Sequence, residues 1–326
     1  MSFVVALGIA VVLVPVARRV GLATDLVDRP SDPALAIHAR PVSVLGGAAV
    51  VAATLVASAL VGDGLPGSIV AATTIAFAAG LADDIRQLTP LVRLILLTGA
   101  GVVLAAGGVE VEPLGALAGV ATVALTLACA NATNLLDGQN GLAGGLAAIG
   151  GAALATTAPG GSGIRSLGFA LAGAGVGFLI WNLPGRIFLG NGGAYAVGTL
   201  LAALTASVST VNGWLGLLAA GACLGVLAFE MLFTVARRLG SGASLTSGDR
   251  LHSYDIVATR TGSRLRSTGI LCGAGAIAGA LGYAASRVSF TKAAVLAGVL
   301  ALGGLVAGVQ LWPGRARADT FGGDPR

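Results

Sequence analysis

Residues 114–147 read LGALAGVATVALTLACANATNLLDGQNGLAGGLA. From Leu114 to Ala130 the run carries no charge, and its length suits a helix crossing the hydrocarbon of a bilayer, which needs roughly 17 to 25 mostly apolar residues. A polar island follows, from Asn131 to Gly141, and then another apolar run begins at Leu142. Apolar span, polar edge, apolar span is the grammar of a membrane protein.

The rest of the chain repeats it. Hydrophobic residues make up 56% of the 326 residues, charged residues only 10%, and the mean hydropathy is +0.91, far from the make-up of soluble domains. The 52 glycines suit closely packed membrane helices, where small side chains let backbones approach. Eleven apolar segments can be placed: Phe3 to Val16, Leu45 to Leu60, Ile69 to Leu81, Leu91 to Ala106, Leu114 to Ala130, Leu142 to Ala158, Leu167 to Leu183, Ala194 to Val211, Trp214 to Val235, Thr268 to Ala285 and Ala293 to Trp312. The first could be misread as a secretory signal, but Arg18 and Arg19 follow the apolar run instead of preceding it, as expected for a retained first helix. The fold expected is all-α, a single polytopic membrane unit over 1–326 with about 10–11 spans, a loop at about 237–267 and a short tail at about 313–326.

Threading the spans alternately puts every one of the 19 Lys and Arg residues on one side except Arg165, Arg287 and Lys292. That side is expected to be cytoplasmic, with the N-terminus outside. Asp83, Asp84, Asp137, Asp249 and Asp255 fall on the same side, whereas Asp63, Glu110 and Glu112 mark short external loops. The basic residues lie in inter-helix loops and form no single stripe, so the pI near 9.7 does not point to nucleic acid. Cys129, Cys223 and Cys272 sit in apolar runs without metal or disulfide spacing.

Four places on that face could carry chemistry. Asp83 and Asp84 are adjacent carboxylates that repel unless a cation or proton offsets them, and their hard oxygens suit Mg2+ bound together with phosphate; alone they could equally be a solvated helix end. Asn131, Asn134 and Asp137 are spaced by three and share a helix face. Trp181 to Gly193 contains Asn182, Arg186, Phe188 and a Gly-rich stretch before a helix, where free amides favour a phosphate, although such turns are also common between spans. The long loop after Arg237-Arg238 holds Asp249, Arg250, His252 and Asp255, with one of only two histidines; the other, His38, sits beside Arg40 in the first loop. Glu230 lies inside an apolar span, where an ionisable group is costly and usually functional or paired.

Taken in this order, the segments Ile37 to Gly47, Asp83-Asp84, Asn131 to Ala143, Phe188 to Gly193 and Asp249-Arg250-Leu251-His252 resemble the polyprenyl-phosphate N-acetylhexosamine-1-phosphate transferases. The resemblance covers nearly the whole chain. It implies an enzyme of the inner membrane that moves a sugar-1-phosphate from a UDP-N-acetylhexosamine to a polyprenyl phosphate, releases UMP and serves cell-envelope glycan synthesis. It implies Mg2+, or Mn2+ in its place, held by Asp84, Asp137 and Asn191. Asp83, Asp84, Asp137 and His252 would be catalytic; His38, Arg40, Arg93, Asn131, Asn134, Asn140, Asn182, Phe188 and Arg250 would bind substrate. The resemblance also admits a homodimer.

Three departures stand out. Asn191 occupies a position where such enzymes usually have a metal-binding Asp, which predicts weaker metal affinity or altered chemistry, because an amide oxygen lacks the charge. Asn140 replaces a second Asp, and a cluster of histidines has shrunk to His252. The same residues would therefore also serve a lipid- or partner-binding relative without turnover, and the many spans alone would serve a transporter. A transporter's polar residues are expected near the bilayer midplane, not at its rim.

Overall fold

A computed structural model describes residues 1–29, 40–160, 162–244 and 249–312. Twelve α-helices run through them: α1 (Ser2–Ala23), α2 (Gly46–Val61), α3 (Gly67–Arg86), α4 (Pro90–Ala106), α5 (Ala118–Leu136), α6 (Leu142–Thr157), α7 (Gly163–Asn182), α8 (Gly190–Cys223), α9 (Gly225–Ser241), α10 (Ser253–Thr261), α11 (Arg264–Ala285) and α12 (Phe290–Leu311). Seven helical stretches are long and apolar enough to span a membrane: α1, α3, α5 with the 3-10 turn before it, α7, α8, α11 and α12. The apolar helices α2, α4 and α6 are shorter. In lipid this is the expected solution, because a helix satisfies its backbone internally. The protein is an all-α polytopic membrane protein.

Helix α8 is the hub. Most of its apolar window is buried, and it packs against α2, α3, α5, α6, α11 and α12. Helix α12 is the opposite case, with Val295, Val299, Leu302, Leu305 and Val309 all exposed. An all-apolar surface of this kind is suited to lipid.

Small residues set the closest approaches. A Cβ added to Gly47 would lie 2.0 Å from the Gly193 Cα, and one added to Gly193 would lie 2.4 Å from the Gly47 Cα, so α2 and α8 cross with backbones touching. A Cβ on Gly80 would meet the Asn191 carbonyl at 2.3 Å, which presses α3 onto the same end of α8. A two-stranded sheet joins in: β1 (Val27–Asp28) pairs antiparallel with β2 (Val42–Ser43), and Ser43 bridges to Ile187. Gly46 and Gly47 donate to the carbonyls of Phe188 and Leu189 at 3.0 Å each, and Phe188 donates to Ser43 at 2.9 Å. The start of α8 is thus pinned from three sides.

Two expectations change. The span expected over Trp214 to Val235 is broken at Leu224, between α8 and α9. Helix α8 is kinked at Gly213, whose φ of 60° and ψ of −144° are not helical, in agreement with the boundary expected between Val211 and Trp214, and α9 then carries a polar stripe of Glu230, Thr234, Arg237 and Arg238, all buried. The loop expected over about 237–267 is largely helical, with Arg237 and Arg238 inside α9 and α10 closing the remainder. The tail at about 313–326 lies outside the described residues.

Gly47→Ala is expected to destabilise the protein by about 1–3 kcal/mol, because the added methyl meets backbone that cannot rotate away. Gly99→Ala, with nothing within 4 Å, is the control and should be neutral or slightly stabilising. Thermal unfolding of both variants in one detergent decides this.

Candidate active site

The site grows from the N-terminus of α8. A helix begins with four N–H groups that have no partner inside it, and it carries partial positive charge there. Asp84, on the last turn of α3, accepts from Asn191 N–H through Oδ1 at 3.0 Å and from Gly192 N–H through Oδ2 at 3.1 Å. Asp137, just past α5, accepts from Leu189 N–H through Oδ1 at 3.4 Å and from Gly190 N–H through Oδ2 at 3.1 Å. Four consecutive amides are therefore taken by two carboxylates. The expectation of amides free for a phosphate changes accordingly: carboxylates from α3 and α5 cap this terminus. Gly190 has φ of 72°, and a Cβ there would sit 2.2 Å from the Val44 carbonyl, so only glycine fits the turn.

Asn191 ties the layer together. Its Nδ2 donates to Asp83 Oδ2 at 3.1 Å, and its Oδ1 accepts from Asn134 Nδ2 at 2.6 Å. The amide orientation follows from the network, since the carboxylate oxygen accepts and so faces the NH2. Asp83 also accepts from Leu88 N–H at 2.8 Å, Tyr195 Oη at 3.3 Å and Arg93 Nη1 at 3.4 Å. It is 4% exposed and needs each of these donors.

Asp137 is pushed up to about 8, chiefly by burial and further by the charges of Asp84 and Asp28, against the pull of the Leu189 and Gly190 amides. The carboxylates Asp28, Asp84 and Asp137 thus feel one another across a small space, and a bound cation would relieve that repulsion. Among the described residues, no three His, Cys, Asp or Glu side chains group as a metal site.

A second polar layer closes the site from α9 and α10. Arg237 Nη2 grips both oxygens of Asp249 at 2.8 and 2.9 Å, and Arg238 Nε adds a contact at 3.0 Å. Burial pushes Asp249 up, but the hydrogen bonds from Arg237 and Leu251 N–H outweigh it and hold the carboxyl below its usual value. Arg250 reaches the Gly138 carbonyl at 3.5 Å and Asp255 at 3.8 Å. His252 stacks on Tyr254 at 5.1 Å, and Tyr254 Oη donates to the Leu135 carbonyl at 3.1 Å. The loop is thereby fastened beside Asn134 and Asp137.

The residues singled out in the sequence divide as follows. Asp83, Asp84, Asn134, Asp137 and Asn191 meet directly, with Arg93 at the edge. Arg250 and His252 approach through the α5 terminus. Asn131 turns back onto the Leu127 carbonyl of its own helix at 2.8 Å. Asn182 is a brace, accepting from Gly141 N–H at 2.7 Å and donating to the Ile187 carbonyl at 2.8 Å. Phe188 is buried, 6% exposed, in the strand-like tie to Ser43. The Asn140 carbonyl accepts from Thr268 at 2.9 Å, while its side-chain Oδ1 is buried without a hydrogen bond. Arg40 is exposed, and His38 lies outside the described residues. Asp28, Tyr195, Thr234, Ser253 and Tyr254 were not foreseen. For Tyr195 the signal was its place one helical turn after Asn191; for Thr234 it was the spacing Glu230, Thr234, Arg237.

A folded-state value of about 8 against 3.8 for the free carboxyl gives the pH response a sign. Between about 4 and 8 the folded form holds more protons than the unfolded form, so Asp137 removes stability as pH rises and the loss is complete above 8. In metal-free detergent, the melting temperature of Asp137→Asn relative to the parent should therefore climb from pH 5 to 8 and level off. A difference independent of pH would contradict the burial of this carboxyl.

Residues 67–209 match the sequence model of glycosyl transferase family 4. That stretch runs from α3 through the first part of α8 and contains Asp83, Asp84, Asn134, Asp137 and Asn191. A probable undecaprenyl-phosphate N-acetylglucosaminyl 1-phosphate transferase of Bacillus subtilis is 27% identical over 78% of this chain and 75% of its own length. A decaprenyl-phosphate N-acetylglucosaminephosphotransferase of Mycobacterium leprae is 29% identical over 67% of each. A phospho-N-acetylmuramoyl-pentapeptide-transferase of Symbiobacterium thermophilum is 34% identical over 48% of this chain and 56% of its own length. The chain is thus similar to glycosyl transferase family 4 over residues 67–209, and over longer stretches to transferases named for a polyprenyl phosphate and an N-acetylglucosamine phosphate.

Proposed function

We propose that this protein transfers a sugar-1-phosphate, of the N-acetylhexosamine class, from a UDP-sugar to a polyprenyl phosphate and releases UMP, in the building of a cell-envelope glycan. The observation that carries the reading is the convergence of Asp83, Asp84, Asn134 and Asp137 on one helix N-terminus. The reading is supported by similarity to relatives whose names specify transfer to undecaprenyl or decaprenyl phosphate. The basic asymmetry of the loops supports a site facing the cytoplasm of an inner membrane, with the N-terminus outside.

An oxygen of the lipid phosphate attacks the β-phosphorus of the UDP-sugar. The bond from that phosphorus to the bridging oxygen breaks, and UMP departs with the electron pair. An acceptor entering as a dianion needs no proton transfer; a monoanion gives its proton to a carboxylate of the Asp83-Asp84 pair. Both partners are anions, so positioning and charge neutralisation are the main requirements. Arg93 and Arg250 supply fixed positive charge at the two edges of the site.

Mg2+ fits the donor set in kind, because Asp84 and Asp137 offer hard oxygens and their mutual repulsion favours a cation. When bound it would neutralise the diphosphate. Asp84 and Asp137 would hold it, whereas the Asn191 amide is already committed to Asp83 and Asn134. Asn191→Asp therefore sets a carboxylate against Asp83. Its melting temperature at pH 7.5 should fall below that of the parent without divalent cation and recover with Mg2+; an equal response of both proteins to Mg2+ would count against a cation at this place.

The activity is tested with purified protein, a polyprenyl phosphate, Mg2+ and a panel of UDP-sugars, measuring UMP release. Turnover with one or more sugars is expected, and Asp84→Asn should lower kcat by more than about 100-fold, as for loss of a group acting directly on the reacting phosphates. No UMP from any sugar, with lipid binding intact, would leave a binding role in its place.

A further inference from the structure

Glu230 is fully buried in α9, and nothing in the phosphoryl transfer described above uses it. A buried carboxylate must be given donors, and this one has three. Thr234 Oγ1 donates to Oε1 at 3.1 Å, His252 Nδ1 lies 2.8 Å from the same oxygen, and Ser253 Oγ donates to Oε2. Thr234 Oγ1 is also 3.2 Å from His252 Nδ1. The two hydroxyls can spend their protons on the carboxylate only if the ring brings its own. Every close pair is then donor to acceptor in one arrangement: the proton sits on Nδ1, directed at Glu230 and shared with Thr234.

We propose that Glu230 is a positioning residue that fixes His252 as the Nδ1–H tautomer, so that Nε2 keeps its lone pair and accepts a hydrogen bond or a proton from substrate. This rests on the transferase reading for what Nε2 meets. The ring is held on its edge by Glu230 and on its face by Tyr254, at 5.1 Å and 4° between planes. Tyr254 in turn reaches the Leu135 carbonyl, next to Asn134. A ring clamped in two directions has a defined nitrogen to offer, and a carboxylate on the other nitrogen raises the basicity of the one that is free.

A purely structural reading would make Glu230 an anchor for the loop between α9 and α10. That loop already has an anchor in Asp249, held by Arg237 and Arg238. Glu230→Gln should leave that tie intact. Its amide can turn an NH2 towards Nδ1 and so favour the other tautomer, with the proton on Nε2.

The test uses the full-length protein in lipid nanodiscs with 15N-labelled histidine. Only two histidines are present, and His252→Gln assigns the signals. In the parent at neutral pH, His252 should show a pyrrole-type Nδ1 and a pyridine-type Nε2. In Glu230→Gln this pattern should be lost, with kcat reduced about 10- to 100-fold and KM for the UDP-sugar within about two-fold. A parent ring protonated on Nε2 overturns the proposal even if the variant does not fold. Unchanged ring signals and kcat in the variant overturn it as well. Absence of UMP release from the parent would refute the transferase reading instead, while the ring signals still decide the tautomer.

Discussion

The structure depends on how the N-terminus of α8 is satisfied. Its amides could have bound water or a ligand, yet the Leu189 to Gly192 N–H groups go to Asp84 and Asp137. Helix dipole and carboxylate charge offset each other, so three helices that meet nowhere else in this way are fastened at one point. Gly47, Gly80 and Gly193 permit it, because any side chain there would hold the backbones apart. Chemistry and architecture share the same few atoms.

That sharing shapes what a single residue can do. Asn191 is an amide among carboxylates: it donates a hydrogen bond to Asp83, accepts one from Asn134, and presents no charge of its own. A carboxylate in its place would be one negative charge more in a site where Asp137 is already driven towards its neutral form. A carboxylate at this point would need a cation for cohesion as well as for chemistry. Here the polar network closes without one, which separates holding the site together from loading it.

The bilayer made much of this legible in advance. Spans are forced to be long and apolar, so the order of most of them could be read directly, and the spacing of Asn134 and Asp137 by three put both on the face that meets α8. Asn131 has the same spacing but bonds to its own helix, because a short amide can always reach back four residues. The break at Leu224 had no punctuation to announce it; its neighbour Gly225 is one of 52 glycines, too common to be a signal. Nor could the capping of α8 be foreseen, since its partners come from 52 to 108 positions away in sequence. Asn182 was expected to face substrate, and the structure uses it as a brace, a part that the unforeseen Tyr254 also plays.

The separation between Asp84 and the amide it caps, 107 residues, also has a meaning in time. A ribosome adding roughly 5–20 residues per second needs about 5–20 s to make that stretch. During this interval α3 is already available for insertion, with two adjacent carboxylates at its end and no helix terminus to receive them. The nascent chain must keep that end in water or borrow protons until α8 arrives. The charges at the end of α3 are quenched only once the start of α8 has been made.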